Sequence, residues 1–200
     1  LADFAGIRLN VTDSAPKGLW FMTKSLTPER GSFVAVCPPP VPAVKSMVAR
    51  YYLPSGNCIE TGSQTLLKAI GAISGDSVVI RDGLPVSVNG SELPNTVARN
   101  RSLSWPAGTY QVESGYVWVF STYNEKSFDS RYFGPVPVKN IRGVSVPVLT
   151  DGDTDQMKTG IPHKMPCLRN MIFLQQFFWK ESFLRSLTEE LVRHKKTVCR

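Results

Sequence analysis

Thr65-Leu66-Leu67-Lys68-Ala69-Ile70-Gly71-Ala72-Ile73, with Ser74-Gly75-Asp76 and the apolar run Val78-Val79-Ile80 behind it, reads as strand, turn, strand. The apolar runs are short and are separated by residues that punctuate regular structure. In an extended segment side chains alternate, so Leu66, Lys68 and Ile70 share a face and the lysine has apolar neighbours on its own strand. No acidic residue lies between Glu60 and Asp76. Burial without a nearby carboxylate disfavours the ammonium and moves a lysine from about 10.4 towards neutrality, where it can take a proton from a hydroxyl. The alternative for Lys68 is a lysine on an edge strand, its stem lying on apolar surface and its head in water.

Working outward, Val78 to Gly90 reads as a hairpin, with Asp82-Gly83 as its turn and Asn89-Gly90 as the next one. Tyr116-Val117-Trp118-Val119-Phe120 is a strand of β formers. Upstream, Gly31 to Cys37 alternates into a strand that stops at Pro38-Pro39-Pro40, where backbone donors are missing. Ala43 to Arg50 suits a short helix, and residues 91–108 read as a polar surface loop. The chain is therefore mainly β.

Two further stretches carry chemistry. In Asn10-Val11-Thr12-Asp13-Ser14-Ala15-Pro16-Lys17-Gly18-Leu19-Trp20, Ser14 sits in a run of turn formers just ahead of an apolar segment. Such a serine is a nucleophile candidate or an ordinary turn residue. In Ser127-Phe128-Asp129-Ser130-Arg131-Tyr132-Phe133-Gly134-Pro135-Val136, an Asp-Arg ion pair with a hydroxyl can pin a loop beneath a site.

Together these three blocks resemble the TraF branch of the signal peptidase I (S26) family, the conjugative-transfer peptidases, over about residues 5 to 148. The resemblance implies a serine peptidase with Ser14 as nucleophile and Lys68 as general base. Asp129 matches an aspartate needed for activity in that branch, with Ser130 and Arg131 as its support. Thr12 is either a turn threonine or, as the matching hydroxyl in signal peptidases implies, a partner of the Ser14 backbone N–H in holding an oxyanion. Ser14-Ala15-Pro16 departs from the Ser-Met-x-Pro pattern of housekeeping signal peptidases and favours the TraF branch. The implied fold is an antiparallel β domain of signal-peptidase type, residues 1–150, with a cleft where an extended substrate adds a strand. The implied substrate is a propilin, trimmed or joined end to end. A leader peptidase acting on other exported proteins and a binding module with a retired site are the alternatives.

The resemblance implies no cofactor and places the body on the periplasmic face of a bacterial inner membrane. In that family an N-terminal anchor shortly precedes the nucleophile, and with 13 residues ahead of Ser14 the expectation is an anchor upstream of this sequence, with a genuinely soluble protein as the alternative. An oxidising compartment favours a disulfide between Cys37 and Cys58, which bracket the excursion from Pro38 to Asn57, over two free buried thiols.

Composition bounds the reading from the other side. The 200 residues are 42% hydrophobic, ordinary for a globular core, and the net charge of +7 would suit an acidic partner. The charge is spread: residues 151–200 hold nine Lys/Arg against six Asp/Glu, so no concentrated basic face argues for nucleic acid. Zinc spacings and phosphate-binding loops are absent, so no metal is expected. The only histidines, His163 and His194, lie outside the three blocks. Asp151-Gly152-Asp153-Thr154-Asp155 lacks the glycine and closing glutamate of a calcium loop and reads as an acidic linker. From Leu168 to about Arg193 the spacing predicts an amphipathic helical extension that packs on the body or docks on a membrane or partner helix.

Overall fold

A computed structural model describes residues 6–24 and 27–151. The expected acidic linker, apart from Asp151, and the helical extension lie outside the described residues, as do both histidines. In chain order the elements are β1 (Ile7–Asn10), β2 (Gly18–Thr23), β3 (Phe33–Val36), α1 (Pro42–Ala49), β4 (Leu66–Ala72), β5 (Ser77–Ile80) and β6 (Ser87–Val88). There follow β7 (Ser91–Glu92), β8 (Gly108–Gln111), β9 (Tyr116–Phe120), α2 (Ser130–Phe133), β10 (Val136–Pro137) and β11 (Ile141–Thr150).

The strands form two sheets, ordered β1-β2-β11-β3-β4-β9-β10 and β7-β6-β5-β8. Neighbours in both are antiparallel, so the mainly β, antiparallel expectation holds. Strand β9 shows why its sequence is one unbroken apolar run. Val117 and Val119 point into a core with Val34, Val36, Val44, Ile70 and Phe133, whereas Trp118 and Phe120 point into a second core with Val78, Val86 and Val88. Both faces of the strand are covered, and alternation of polarity has no place there. The same holds for β3, whose four residues are all buried rather than alternating.

Three readings of the sequence change. Lys68 is not on an edge, because β4 lies between β3 and β9, with Val34 opposite Lys68 and Phe120 opposite Ala69. The Asp82-Gly83 turn belongs to a wider link between β5 and β6. The tight turn is Asn89-Gly90, with φ of 50° and 81°, which joins β6 to β7 by the pair Val88↔Ser91. Residues 91–108 are more than a surface loop: Thr96 is fully buried, and the carbonyls of Asn95 and Val97 accept hydrogen bonds from Arg131.

Cys37, just past β3, and Cys58 are joined by a disulfide that closes the excursion carrying α1. The returning segment is a small hairpin-like flap, with Ser55 bridged to Ser63, Gly56 N–H donating to the Gly62 carbonyl and Gln64 N–H to that of Pro54. A cross-link over a loop of this size stabilises by about 3 kcal/mol, mainly through the unfolded chain. Cys37→Ser/Cys58→Ser is therefore expected to lose about that much stability in urea unfolding, and wild type in reductant should lose the same. A double variant as stable as the oxidised protein would show that the flap holds without its bond.

Candidate active site

Strands β1 and β2 are joined by residues 11–17, with Asn10 opposite Gly18 at the base of the hairpin. Gly18 has φ of 133°, and a Cβ there would lie 2.0 Å from the Leu149 carbonyl oxygen on β11, so only glycine lets the loop close against that strand. Ala15 and Pro16 are buried, and the Trp20 indole N–H donates to the Pro16 carbonyl at 3.1 Å. These contacts tie down one side of the loop and leave Ser14 half-buried at its tip. Asp13 and Lys17 form an exposed ion pair across the loop at 2.6 Å, a contact of small energetic weight.

Ser14 and Lys68 line one cleft of about 1120 Å³, which is also walled by Arg8, Tyr52, Leu66 and Ser127. The Ser14 hydroxyl lies 3.1 Å from that of Thr12. Lys68 is only 4% exposed, and its ammonium donates to Ser127 Oγ at 2.7 Å. Among the described residues no hydrogen bond joins Ser14 Oγ to Lys68 Nζ, so in this state each is held by a neighbour of its own. Burial pushes the Lys68 ammonium down from 10.5 to about 8, with the Asp129 carboxylate acting in the opposite sense and Arg131 adding to the fall.

The third block supports both sides of the cleft. Asp129 caps α2 and is fully buried, as is Arg131. Its carboxylate accepts from Arg131 Nε at 2.8 Å, Arg131 Nη2 at 2.9 Å and the Ser121 backbone N–H at 3.0 Å. Ser121 Oγ in turn donates to the Ser14 carbonyl at 2.7 Å, so the aspartate reaches the Ser14 loop through one intervening serine. Arg131 Nη2 also donates to the Ser127 carbonyl at 2.8 Å, fixing the residue that receives the lysine. Ser130 Oγ accepts the Val119 N–H at 2.9 Å and holds α2 to β9. Asp129, Ser130 and Arg131 thus shape the cleft from beneath.

Sequence reasoning passed over Ser121, Ser127 and Tyr52. Ser127 carried a signal, since it stands two residues ahead of Asp129 in the block already singled out. Ser121 carried none, because its role depends on contacts 107 residues apart in the chain. Tyr52 reaches the cleft from the disulfide-closed flap, where its hydroxyl donates to the Lys126 carbonyl at 3.3 Å and its ring meets Phe128 edge-on. Among the described residues no group of His, Cys, Asp and Glu is arranged to hold a metal ion, and no helix is long and apolar enough to cross a membrane.

A family model described as signal peptidase, peptidase S26, matches residues 4–149. A probable conjugal transfer protein TraF of Sinorhizobium fredii is 36% identical over 152 residues, covering 74% of this chain and 79% of that protein. A plasmid transfer protein TraF of Escherichia coli is 35% identical over 156 residues, covering 74% of this chain and 86% of that protein. Among solved structures, a signal peptidase I of Enterococcus faecalis is 21% identical and covers 60% of this chain and 97% of that one, with a TM-score of 0.35.

Proposed function

Because the chain belongs to the peptidase S26, signal peptidase family, and to its TraF conjugal-transfer members, we propose that it is a serine endopeptidase that matures a propilin for conjugation. The observation that carries this reading is a buried lysine, lowered to about 8, lining the same cleft as an accessible serine. Lys68 is the general base and Ser14 the nucleophile. For reaction the Ser14 hydroxyl exchanges Thr12 for Lys68. The lysine takes the Oγ proton as Oγ bonds to the scissile carbonyl carbon, and the resulting ammonium then delivers that proton to the departing amine. The ester left on Ser14 is released in one of two ways. Water attack gives a trimmed chain, whereas attack by the pilin's own α-amine forms a new peptide bond and a ring.

Ser127 holds the lysine in place through both protonation states, and Asp129 acts as support, since the Ser-Lys pair completes proton transfer without a third titrating group. The Ser14 backbone N–H and the Thr12 hydroxyl hold the oxyanion. An extended substrate lies along the outer edge of β1, which ends the larger sheet among the described residues, and adds a strand to it. The protein works at the periplasmic face of the inner membrane, consistent with the disulfide at Cys37 and Cys58.

Incubation with a conjugative propilin, followed by mass spectrometry, tests this reading. Loss of a terminal peptide is expected, and a ring would be one water lighter than the trimmed chain. An unchanged propilin in the presence of folded enzyme would defeat the assignment. Residues 151–200 are an appendage to the peptidase domain in this reading, so a chain ending at Thr150 should retain most of its turnover. A folded truncation without turnover would show that the tail completes the site.

A further inference from the structure

The Asn10 side chain spends all of its hydrogen-bonding capacity on the Ser14 loop. Its Nδ2 faces three carbonyl oxygens, those of Thr12 at 3.0 Å, Ala15 at 3.0 Å and Pro16 at 3.1 Å. Its Oδ1 accepts the Thr12 backbone N–H at 3.1 Å and the Thr12 hydroxyl at 2.8 Å. These surroundings fix which end of the amide is which: three carbonyls call for a donor, and a backbone N–H calls for an acceptor. Two N–H groups shared among three carbonyls leave no donor over.

The direction of the next bond follows. An amide oxygen has no proton to give, so in the Asn10–Thr12 contact the threonine hydroxyl is the donor. That uses its only proton. In the 3.1 Å contact between Thr12 Oγ1 and Ser14 Oγ the serine must then donate. The resting loop therefore carries a one-way chain, Ser14 to Thr12 to Asn10, with the Ser14 proton held by Thr12 and the Thr12 hydroxyl held beside the serine in a single rotamer.

We propose that Asn10 is a positioning residue of the site, acting through Thr12: its side-chain carbonyl fixes where the Thr12 hydroxyl stands and which way it donates. The inference rests on the peptidase reading above and extends it to a residue whose side-chain hydrogen bonds all go to the Ser14 loop. When an oxyanion forms, Thr12 transfers its proton contact from a neutral amide oxygen to a charged one, the stronger acceptor, without searching for a rotamer. Without Asn10 the threonine is free to turn, and the oxyanion loses a pre-placed donor.

A double-mutant cycle in kcat, using Asn10→Ala, Thr12→Val and the pair, tests the coupling. Loss of one oxyanion donor costs about 100-fold, and each single variant is expected to lose at least about tenfold in kcat with KM changed by less than about threefold. Because both changes act through one hydroxyl, the pair should be no worse than the weaker single variant by more than about threefold. Losses that multiply, a wild-type rate in Asn10→Ala, or a change confined to KM would each overturn the inference. If Asn10→Ala melts too low to assay, Asn10→Leu, which fills similar space and removes the acceptor, takes its place in the cycle under the same criteria. A readout independent of turnover separates this inference from the peptidase reading: in ¹⁵N spectra, Thr12→Val should shift the Asn10 side-chain amide pair. An unmoved pair overturns the coupling even in a fully active enzyme, whereas a shifted pair in a protein that processes nothing sinks the peptidase reading alone.

Discussion

Lys68→Arg is expected to be as inactive as Lys68→Ala and Ser14→Ala, each losing at least about 1000-fold in propilin processing, on the scale at which single members of a catalytic unit act. Arginine retains the charge and much of the reach but cannot give up its proton inside a protein, so it separates a base from a cation that merely fills a site. In wild type, turnover should rise with pH and level off above about 8, because only the neutral amine accepts the Ser14 proton and burial lowers Lys68 to about 8. At pH 7 roughly one molecule in ten carries the neutral form. Circular dichroism and thermal melting check that the variants fold. Turnover by Lys68→Arg within about tenfold of wild type would defeat the Ser-Lys mechanism.

The same group costs the fold stability. Its pKa when folded lies below its value in the unfolded chain, so between about 8 and 10.5 the unfolded state binds more protons and stability rises with pH. Below about 8 the penalty is present in full. Lys68→Met, which has similar length and no charge, should therefore melt above wild type at pH 7 while processing nothing. The two effects have one cause: the burial that makes Lys68 a base at moderate pH is burial that a structural residue there would have no reason to bear.

What was legible in the sequence was local. Tyr116–Phe120, the Pro42–Ala49 helix and the Asn89-Gly90 turn follow from side-chain branching, a proline in the first turn and a backbone that tolerates positive φ. The Asn10 cluster is equally local but went unread, although an asparagine two residues ahead of a threonine often bonds the backbone beyond it. Strand neighbours were not legible: nothing in Leu66–Ala72 says that β3 and β9 flank it, and Lys68 kept two readings until they did. The expected site residues split along the same line. Ser14 and Lys68 meet in one cleft, and Asp129 pairs with Arg131, but the links through Ser121 and Ser127 span 107 and 59 residues. Residues 91–108 misled because polarity suggested solvent, when two of their carbonyls are turned inward to serve a buried guanidinium.

That guanidinium sets the last expected result: Arg131→Lys should cost the fold almost as much as Arg131→Met. Arg131 is fully buried and donates to both Asp129 oxygens and to the carbonyls of Asn95, Val97, Glu125 and Ser127. A lysine has three donors on one nitrogen and no planar fork, so it cannot reach two carboxylate oxygens and four carbonyls at once. Removing one partner of a buried pair leaves the other charge uncompensated, at about 3 to 5 kcal/mol. For a domain of this size that corresponds to a melting temperature lower by about 10 °C or more. The pair Arg131→Met/Asp129→Leu should recover only part of the loss, because Asp129 also accepts the Ser121 and Arg131 backbone N–H groups, which leucine leaves unpaired. Its remaining activity should keep a pH midpoint close to that of wild type, since Asp129 and Arg131 push Lys68 in opposite directions and burial is the largest cause of its lowered value. Melting of Arg131→Lys within about 2 °C of wild type, no more than the shift from about 1 kcal/mol, would show that charge alone, and not the fork, holds the third block beneath the cleft.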